Sequence, residues 1–300
     1  MVEDSRWWPI TRVVFHLILM IFALLCIIPM VAVVSVSFSD EIAVVKKGYG
    51  LLPRGATTNA YRFVLRYPNQ ILSAYRVSVI VSVLGMFLST LVMSMAAYPL
   101  SRQDFRYGNA INFYVFFTML FSGGLVPSYI LVTRYLHLRN TIWVQVLPMM
   151  VGAWYVFLLR TYMKQIPPSL VESAKMDGAT EFRIYLSIVV PMSKPALATI
   201  ALLTALAYWN SWYLALLYIE KESLVPLQYW LMRVMTTISF LTQQVSGQQA
   251  GMRDMANQSE LPTESARMAM AVLAAGPMLF VFPFFQRYFV RGIKIGAVKG

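Results

Sequence analysis

Apolar residues run along this chain in six long stretches, and every acidic residue lies outside them. The stretches fall near 13–38, 71–99, 110–133, 141–159, 196–219 and 268–290. Each is long enough to cross a ~30 Å hydrocarbon layer as a helix, which takes about 20 residues. The pattern predicts an all-α integral membrane protein, with one transmembrane domain over 1–300. Its longest intervals are 39–70 and 220–267, read as loops, and a connection at 166–195 joins the fourth and fifth spans. Gly123-Gly124 with Pro127, Pro148, and Gly276-Pro277 predict bends, because such residues free backbone groups inside a helix. The first stretch follows Arg6 and Arg12, but it far exceeds the ~7–15 apolar residues of a signal-peptide core and reads as a retained span.

Composition sharpens this picture. With 58% apolar residues, 13% charged and a mean hydropathy of +0.61, the chain lies outside the soluble range. The net charge of +12 is scattered over span ends and loops, which argues against nucleic-acid binding. Lys and Arg divide almost evenly between the two sides of the membrane, so their bias does not orient the chain. The single cysteine, Cys26, excludes intrachain disulfides and cysteine-based metal sites.

All 13 acidic residues lie outside the predicted spans. A secondary, ion-coupled transporter is the rival reading, and it lacks the intramembrane carboxylate that carries a proton or sodium ion. The sequence also has no G-x-x-x-x-G-K-[ST] phosphate loop, no H-E-x-x-H and no G-x-S-x-G. Catalytic and metal residues are therefore not assigned, no cofactor is expected on this chain, and any ATP must be bound by a partner.

The 166–195 connection parses as two short helices with an elbow. Pro167-Pro168 stops the preceding span. Ser169 and Glu172 have capping-box spacing, so a helix of about two turns is expected to start there. Gly178 suits the left-handed position after a helix end, and Thr180 can cap a second helix that Pro191 ends. Ala174, with Leu170, Val171 and Met176 nearby, allows close approach by another surface. On the residues alone two readings stay open: a plug entering a cleft on another protein, or an amphipathic segment lying on the membrane.

The run Glu172-Ser173-Ala174, three residues, Gly178, nine residues, then Ile188-x-Val190-Pro191 resembles the "EAA" signature of binding-protein-dependent ABC importer permeases. Ser173 stands in for an alanine and Val190 for a leucine. Asn140-Thr141, the Trp154–Arg160 stretch, Trp209-Asn210, Pro262-Thr263-Glu264-Ser265 and the ending from Phe284 to Gly300 extend the likeness to maltose-type carbohydrate permeases, closest to those handling uronate-containing oligosaccharides.

The resemblance implies a type I ABC importer permease fold, with the 166–195 loop carrying a cytoplasmic coupling helix. Glu172, Ser173, Ala174, Asp177 and Gly178 match the motif that couples to the ATPase. It further implies a bacterial inner-membrane location with both termini cytoplasmic and 39–70 and 220–267 periplasmic. The implied partners are a second, homologous permease subunit in a heterodimer, two ATP-binding-cassette ATPase subunits that carry the ATP and Mg, a periplasmic solute-binding protein, and membrane lipid.

The tail at Gly296, Val298, Lys299 and Gly300 matches the extension that reaches between the ATPases, and Gln243–Gln249 falls in a loop that by analogy probes the binding protein. For the substrate path, Trp209, Asn210, Trp212 and Tyr213 combine aromatic faces with an amide, the mixed lining of a ligand cavity. Core packing or an interfacial belt is the competing reading of these residues. Arg76 is a candidate to attract a carboxylate, or else snorkels to the interface. The implied cargo is alginate or another polyuronate, with a neutral oligosaccharide as the alternative. With this orientation the outer side is net positive, which suits an anionic ligand or an acidic partner.

Overall fold

The computed structural model describes residues 8–247 and 263–297, and every regular element among them is helical. This suits hydrocarbon, where a helix satisfies its backbone N–H and C=O groups within one segment. The helix α1 (Trp8–Ser37) is long and apolar enough to cross a membrane. After α2 (Glu41–Lys47) and α3 (Asn59–Val64), α4 (Pro68–Ser101) is a second unbroken span. The third span bends by 112° between α5 (Gly108–Leu120) and α6 (Leu125–Ile130), and a π-turn continues α6 to Tyr135. The fourth bends by 55° between α7 (Trp143–Val146), extended by a 3-10 turn to Met149, and α8 (Ala153–Met163). Next come α9 (Pro168–Met176), then α10 (Glu181–Ile184), a π-turn over Tyr185–Val189 and α11 (Val190–Met192) as one run. That run meets α12 (Lys194–Trp209) at 82°. The chain continues through α13 (Tyr213–Tyr218), α14 (Leu227–Gly247) and α15 (Glu264–Ala297).

Local chemistry explains the breaks. Gly124 takes φ +82 between α5 and α6, a conformation open to glycine and costly for other residues. The fifth apolar stretch, expected as one helix over 196–219, stops at Trp209, where the Asn210 amide folds back to donate to the Leu206 carbonyl at 3.0 Å. Gly276-Pro277 does not break its helix, since α15 runs through it to Ala297. The 220–267 interval, expected as a loop, carries the 21-residue α14.

The chain groups into two compact units: Met1–Pro68 with Arg233–Gly276, and Asn69–Met232 with Pro277–Gly300. In the first, α1 is apolar on all sides and none of its spanning window is buried by the rest of the chain. The same unit has a polar centre of its own. Glu41 accepts hydrogen bonds from the Thr263 hydroxyl (2.7 Å), the Glu264 and Ser265 amides (2.9 Å each) and the Ser265 hydroxyl (2.7 Å). It therefore caps α15 from a distant part of the chain, satisfying orphan N–H groups of that helix start. Burial opposes ionisation of Glu41, but these donors outweigh it and hold its carboxyl below the ordinary carboxylate range. Glu264 is in turn held by the Tyr49 hydroxyl at 2.8 Å and Arg267 at 2.9 Å. Glu41→Ala is expected to lower stability by about 2 kcal/mol, the scale of hydrogen bonds to a charged group. Thermal unfolding of the detergent-solubilised chain reads this as a lowered Tm.

In the second unit α4 is the spine. Three of its buried serines bind other helices: Ser78 accepts from the Leu227 amide at 2.7 Å, Ser89 meets the Tyr208 hydroxyl at 3.0 Å, and Ser94 meets the Tyr185 hydroxyl at 2.6 Å. Such small polar residues let helices approach closely and hydrogen-bond across the contact. The Tyr208 hydroxyl also donates to the Val146 carbonyl at 2.9 Å, so one side chain joins α4, α7 and α12. Met93, Leu159, Val171, Ile184 and Ile200 form one core with residues from α4, α8, α9, α10 and α12.

Candidate functional site

The first arm of the elbow, α9, starts two residues earlier than the capping-box spacing predicts. Pro167 occupies the N-cap position and Pro168 the first helical position, with no side-chain cap from either. Proline's φ is already helical and its missing N–H is one the helix start leaves unpaired, so Pro168 begins the helix and Ser169 falls inside it. The helix ends in a Schellman motif. Gly178, at φ +75, donates to the Lys175 carbonyl at 3.0 Å, and Ala179 donates to the Ala174 carbonyl at 2.9 Å. Thr180 then caps α10, its hydroxyl accepting from the Arg183 amide at 3.4 Å.

The second arm also departs from expectation. Pro191 does not end it; the arm reaches Met192 and stops at Ser193. A proline ring clashes with the carbonyl four residues back in a regular helix. Here the π-turn over Tyr185–Val189, closed by the Val190 amide on the Tyr185 carbonyl, widens the helix just before Pro191 and removes that conflict.

The predicted coupling residues divide between two faces of α9. Val171 is buried and Ala174 half-buried against the chain's own core, so Ala174 serves close packing inward. Glu172, Ser173, Asp177 and Gly178 are exposed. Two apolar side chains join them on the surface: Leu170, and Met176 at 89% exposure. A largely bare methionine beside a carboxylate is surface that a protein partner can cover.

A chain of ionic contacts, unforeseen in the sequence, fixes the elbow. On the α4–α5 turn Arg102 binds Asp104 through both nitrogens, Nε to Oδ1 at 2.7 Å and Nη2 to Oδ2 at 2.6 Å. Lys175, in the last turn of α9, reaches Asp104 at 3.2 Å and Glu181, the first residue of α10, at 2.7 Å. The Tyr98 hydroxyl of α4 donates to Glu181 at 2.7 Å. The Arg102 fork, with Lys175 behind it, holds the Asp104 carboxyl well below the usual carboxylate range. Glu181 and then Asp104 push the Lys175 ammonium up. A cavity of about 480 Å³ lies on one side of this network, with Arg102, Ile166, Val171 and Glu172 in its wall. Another of about 450 Å³ lies on the other, lined by Met95, Phe105, Phe182 and Tyr185 among others. The one local signal for the network is Lys175 and Glu181 straddling Gly178.

The substrate-path candidates separate. Trp209 is buried with its ring 6.4 Å from that of Tyr75, and so packs inside the protein. Asn210, Trp212 and Tyr213 are exposed at the break between α12 and α13, the two rings meeting edge to face at 5.9 Å. Arg76 is exposed on α4. Gly296 lies in the last turn of α15, while Val298, Lys299 and Gly300 are outside the described residues. Of the Gln243–Gln249 stretch, α14 includes residues up to Gly247, and the remainder is outside the described residues.

Six apolar spans, three of them bent, with a capped elbow leading into the fifth, define the type I ABC importer permease fold. Residues 9–295 match the model of the binding-protein-dependent transport system inner membrane component, and the chain belongs to that family. It is 38% identical to the polygalacturonan/rhamnogalacturonan transport system permease protein YtcP of Bacillus subtilis over 282 residues, 94% of this chain and 96% of that one. Against the trehalose/maltose transport system permease protein MalG of Thermococcus litoralis it is 28% identical, covering 93% and 94% of the two chains. A chain in the crystal structure of a bacterial ABC transporter involved in the import of the acidic polysaccharide alginate superposes with a TM-score of 0.77 at 29% identity, over 96% of this chain and 100% of that one. The protein is thus an inner-membrane permease subunit of an oligosaccharide ABC importer, a non-catalytic component that works with an ATPase, a partner permease and a solute-binding protein.

Proposed function

We propose that this permease carries an acidic oligosaccharide, alginate or another polyuronate, across the inner membrane by alternating access driven by ATP hydrolysis on partner subunits. The observation that carries the cargo class is the likeness to a polygalacturonan/rhamnogalacturonan permease in sequence and to an alginate importer in structure. In this reading the chain is one half of a permease heterodimer that sits on two ATPases and receives cargo from a periplasmic binding protein. The elbow docks on the ATPase through the exposed face of α9, with Glu172, Ser173 and Asp177 as its polar contacts and Met176 and Leu170 as its apolar ones. Docking there puts the elbow and both termini in the cytoplasm, and 39–70 and 220–267 in the periplasm. The tail at Gly296, Val298, Lys299 and Gly300 extends the same contact. Asn210, Trp212 and Tyr213 are retained as sugar contacts, because their rings and amide are exposed together.

Reconstitution tests the cargo. With the partner permease, ATPase and binding protein present in proteoliposomes, alginate or polygalacturonate oligosaccharides are expected to stimulate hydrolysis and be taken up. Stimulation by neutral maltodextrins alone would exclude a polyuronate cargo.

A further inference from the structure

We infer that Lys175 is a positioning residue for energy coupling: it locks the two arms of the elbow to each other and to the end of α4, so that the elbow and the spine move as one piece. The inference rests on the reading of the elbow as the ATPase-docking segment and adds to it the part that passes the motion on.

The geometry supports this in three steps. First, Lys175 touches both arms of the elbow and the α4–α5 turn: it stands in α9, pairs with Glu181 of α10 at 2.7 Å and with Asp104 at 3.2 Å. Second, both partners are anchored on α4. Asp104 is forked by Arg102 immediately after that helix, and Glu181 accepts from Tyr98 within it. The contacts therefore close a ring that begins and ends on α4. Without Lys175 the ring opens, and the angle between the arms rests on the Gly178 turn and on the apolar core that Val171 and Ile184 share.

Third, the magnitudes favour positioning over stability. The Lys175 side chain is 38% exposed and those of Asp104 and Glu181 are each 55% exposed. Ion pairs so open to solvent add little to folding, and matter chiefly where several charges form one network of fixed geometry. Lys175 is thus a weak stabiliser, whereas setting an angle requires only that it hold its two partners in place.

The test uses the assembled transporter in proteoliposomes, with uptake and ATP hydrolysis measured together. Lys175→Met keeps the aliphatic stem and removes the charge. It is expected to leave the ATPase bound and hydrolysing and Tm unchanged, while sugar moved per ATP falls at least about fivefold, the lower edge of ordinary coupling between distant sites. Lys175→Arg, which keeps the charge and reaches both carboxylates, is expected to recover most of that ratio. A Lys175→Met transporter with the wild-type ratio overturns the inference. Loss of the bound ATPase in that variant also overturns it, because Lys175 would then be a docking contact. Docking is read separately, by cross-linking a cysteine introduced as Glu172→Cys to the ATPase. A cross-link together with an unchanged ratio sinks the brace alone, whereas a missing cross-link removes the docking reading and the brace with it.

Discussion

Gly178→Val is expected to cut coupled uptake about tenfold or more while the chain still inserts and its spans still form. Gly178 sits at φ +75, and beyond its own chain neighbours no atom lies within 4 Å of where a Cβ would be, so the penalty is one of local backbone conformation and not of tertiary crowding. An L-residue in the left-handed region costs roughly 1–2 kcal/mol, and a β-branched one is a steric outlier there. That cost opposes both bonds of the Schellman motif, and relieving it swings α10 away from α9. If uptake follows the fraction of elbows in the native turn, it falls by about tenfold or more. A graded series separates this cause from general damage. Gly178→Asn, which tolerates the left-handed region, is expected to retain most activity, Gly178→Ala to be intermediate and Gly178→Val lowest. Uptake and stimulated hydrolysis in Gly178→Val equal to wild type would show that the turn is not needed.

Crowding is the cause of the second large effect, at Gly85 on α4. A Cβ added there would come within 2.5 Å of the Tyr208 ring. The ring cannot easily retreat, because its hydroxyl is held by Ser89 at 3.0 Å and by the Val146 carbonyl at 2.9 Å. Gly85→Ala is therefore expected to cost about 1–3 kcal/mol through overpacking, and to lower both the yield and the Tm of detergent-solubilised protein. The double variant Gly85→Ala with Tyr208→Val removes the ring that is struck, so its loss should be smaller than the sum of the single losses. Strict additivity in that cycle would mean that the two residues do not press on each other.

The comparison between sequence and structure divides along the range of the interactions. Gly178, Thr180 and Gly124 were legible because a left-handed turn or a helix cap is decided by one residue and its immediate neighbours. The apolar stretches were legible because bilayer thickness sets a length that composition can be read against. Ser169 misled because two local rules competed for one helix start, and the proline at the first helical position won over the capping box. Pro191 misled because a π-turn upstream, invisible to residue preferences, made room for its ring. Trp209 is a substrate-path candidate for its aromatic face, and its burial near Tyr75 is set by a residue 134 positions away, beyond the reach of local pattern. The ionic ring was out of reach for a different reason: its members lie 71 and 83 positions apart along the chain, and neither charge nor spacing marks which carboxylate Lys175 selects.

The contact between Glu41 and the start of α15 has a consequence for biogenesis. The carboxylate leaves the ribosome more than two hundred residues before the amides it will cap, since Glu41 and Ser265 are 224 positions apart. Through most of synthesis it has to stay hydrated, because four of its donors do not yet exist. Glu41 thus waits for the first turn of α15, 222 positions on at the nearest donor, before its capping contact can form.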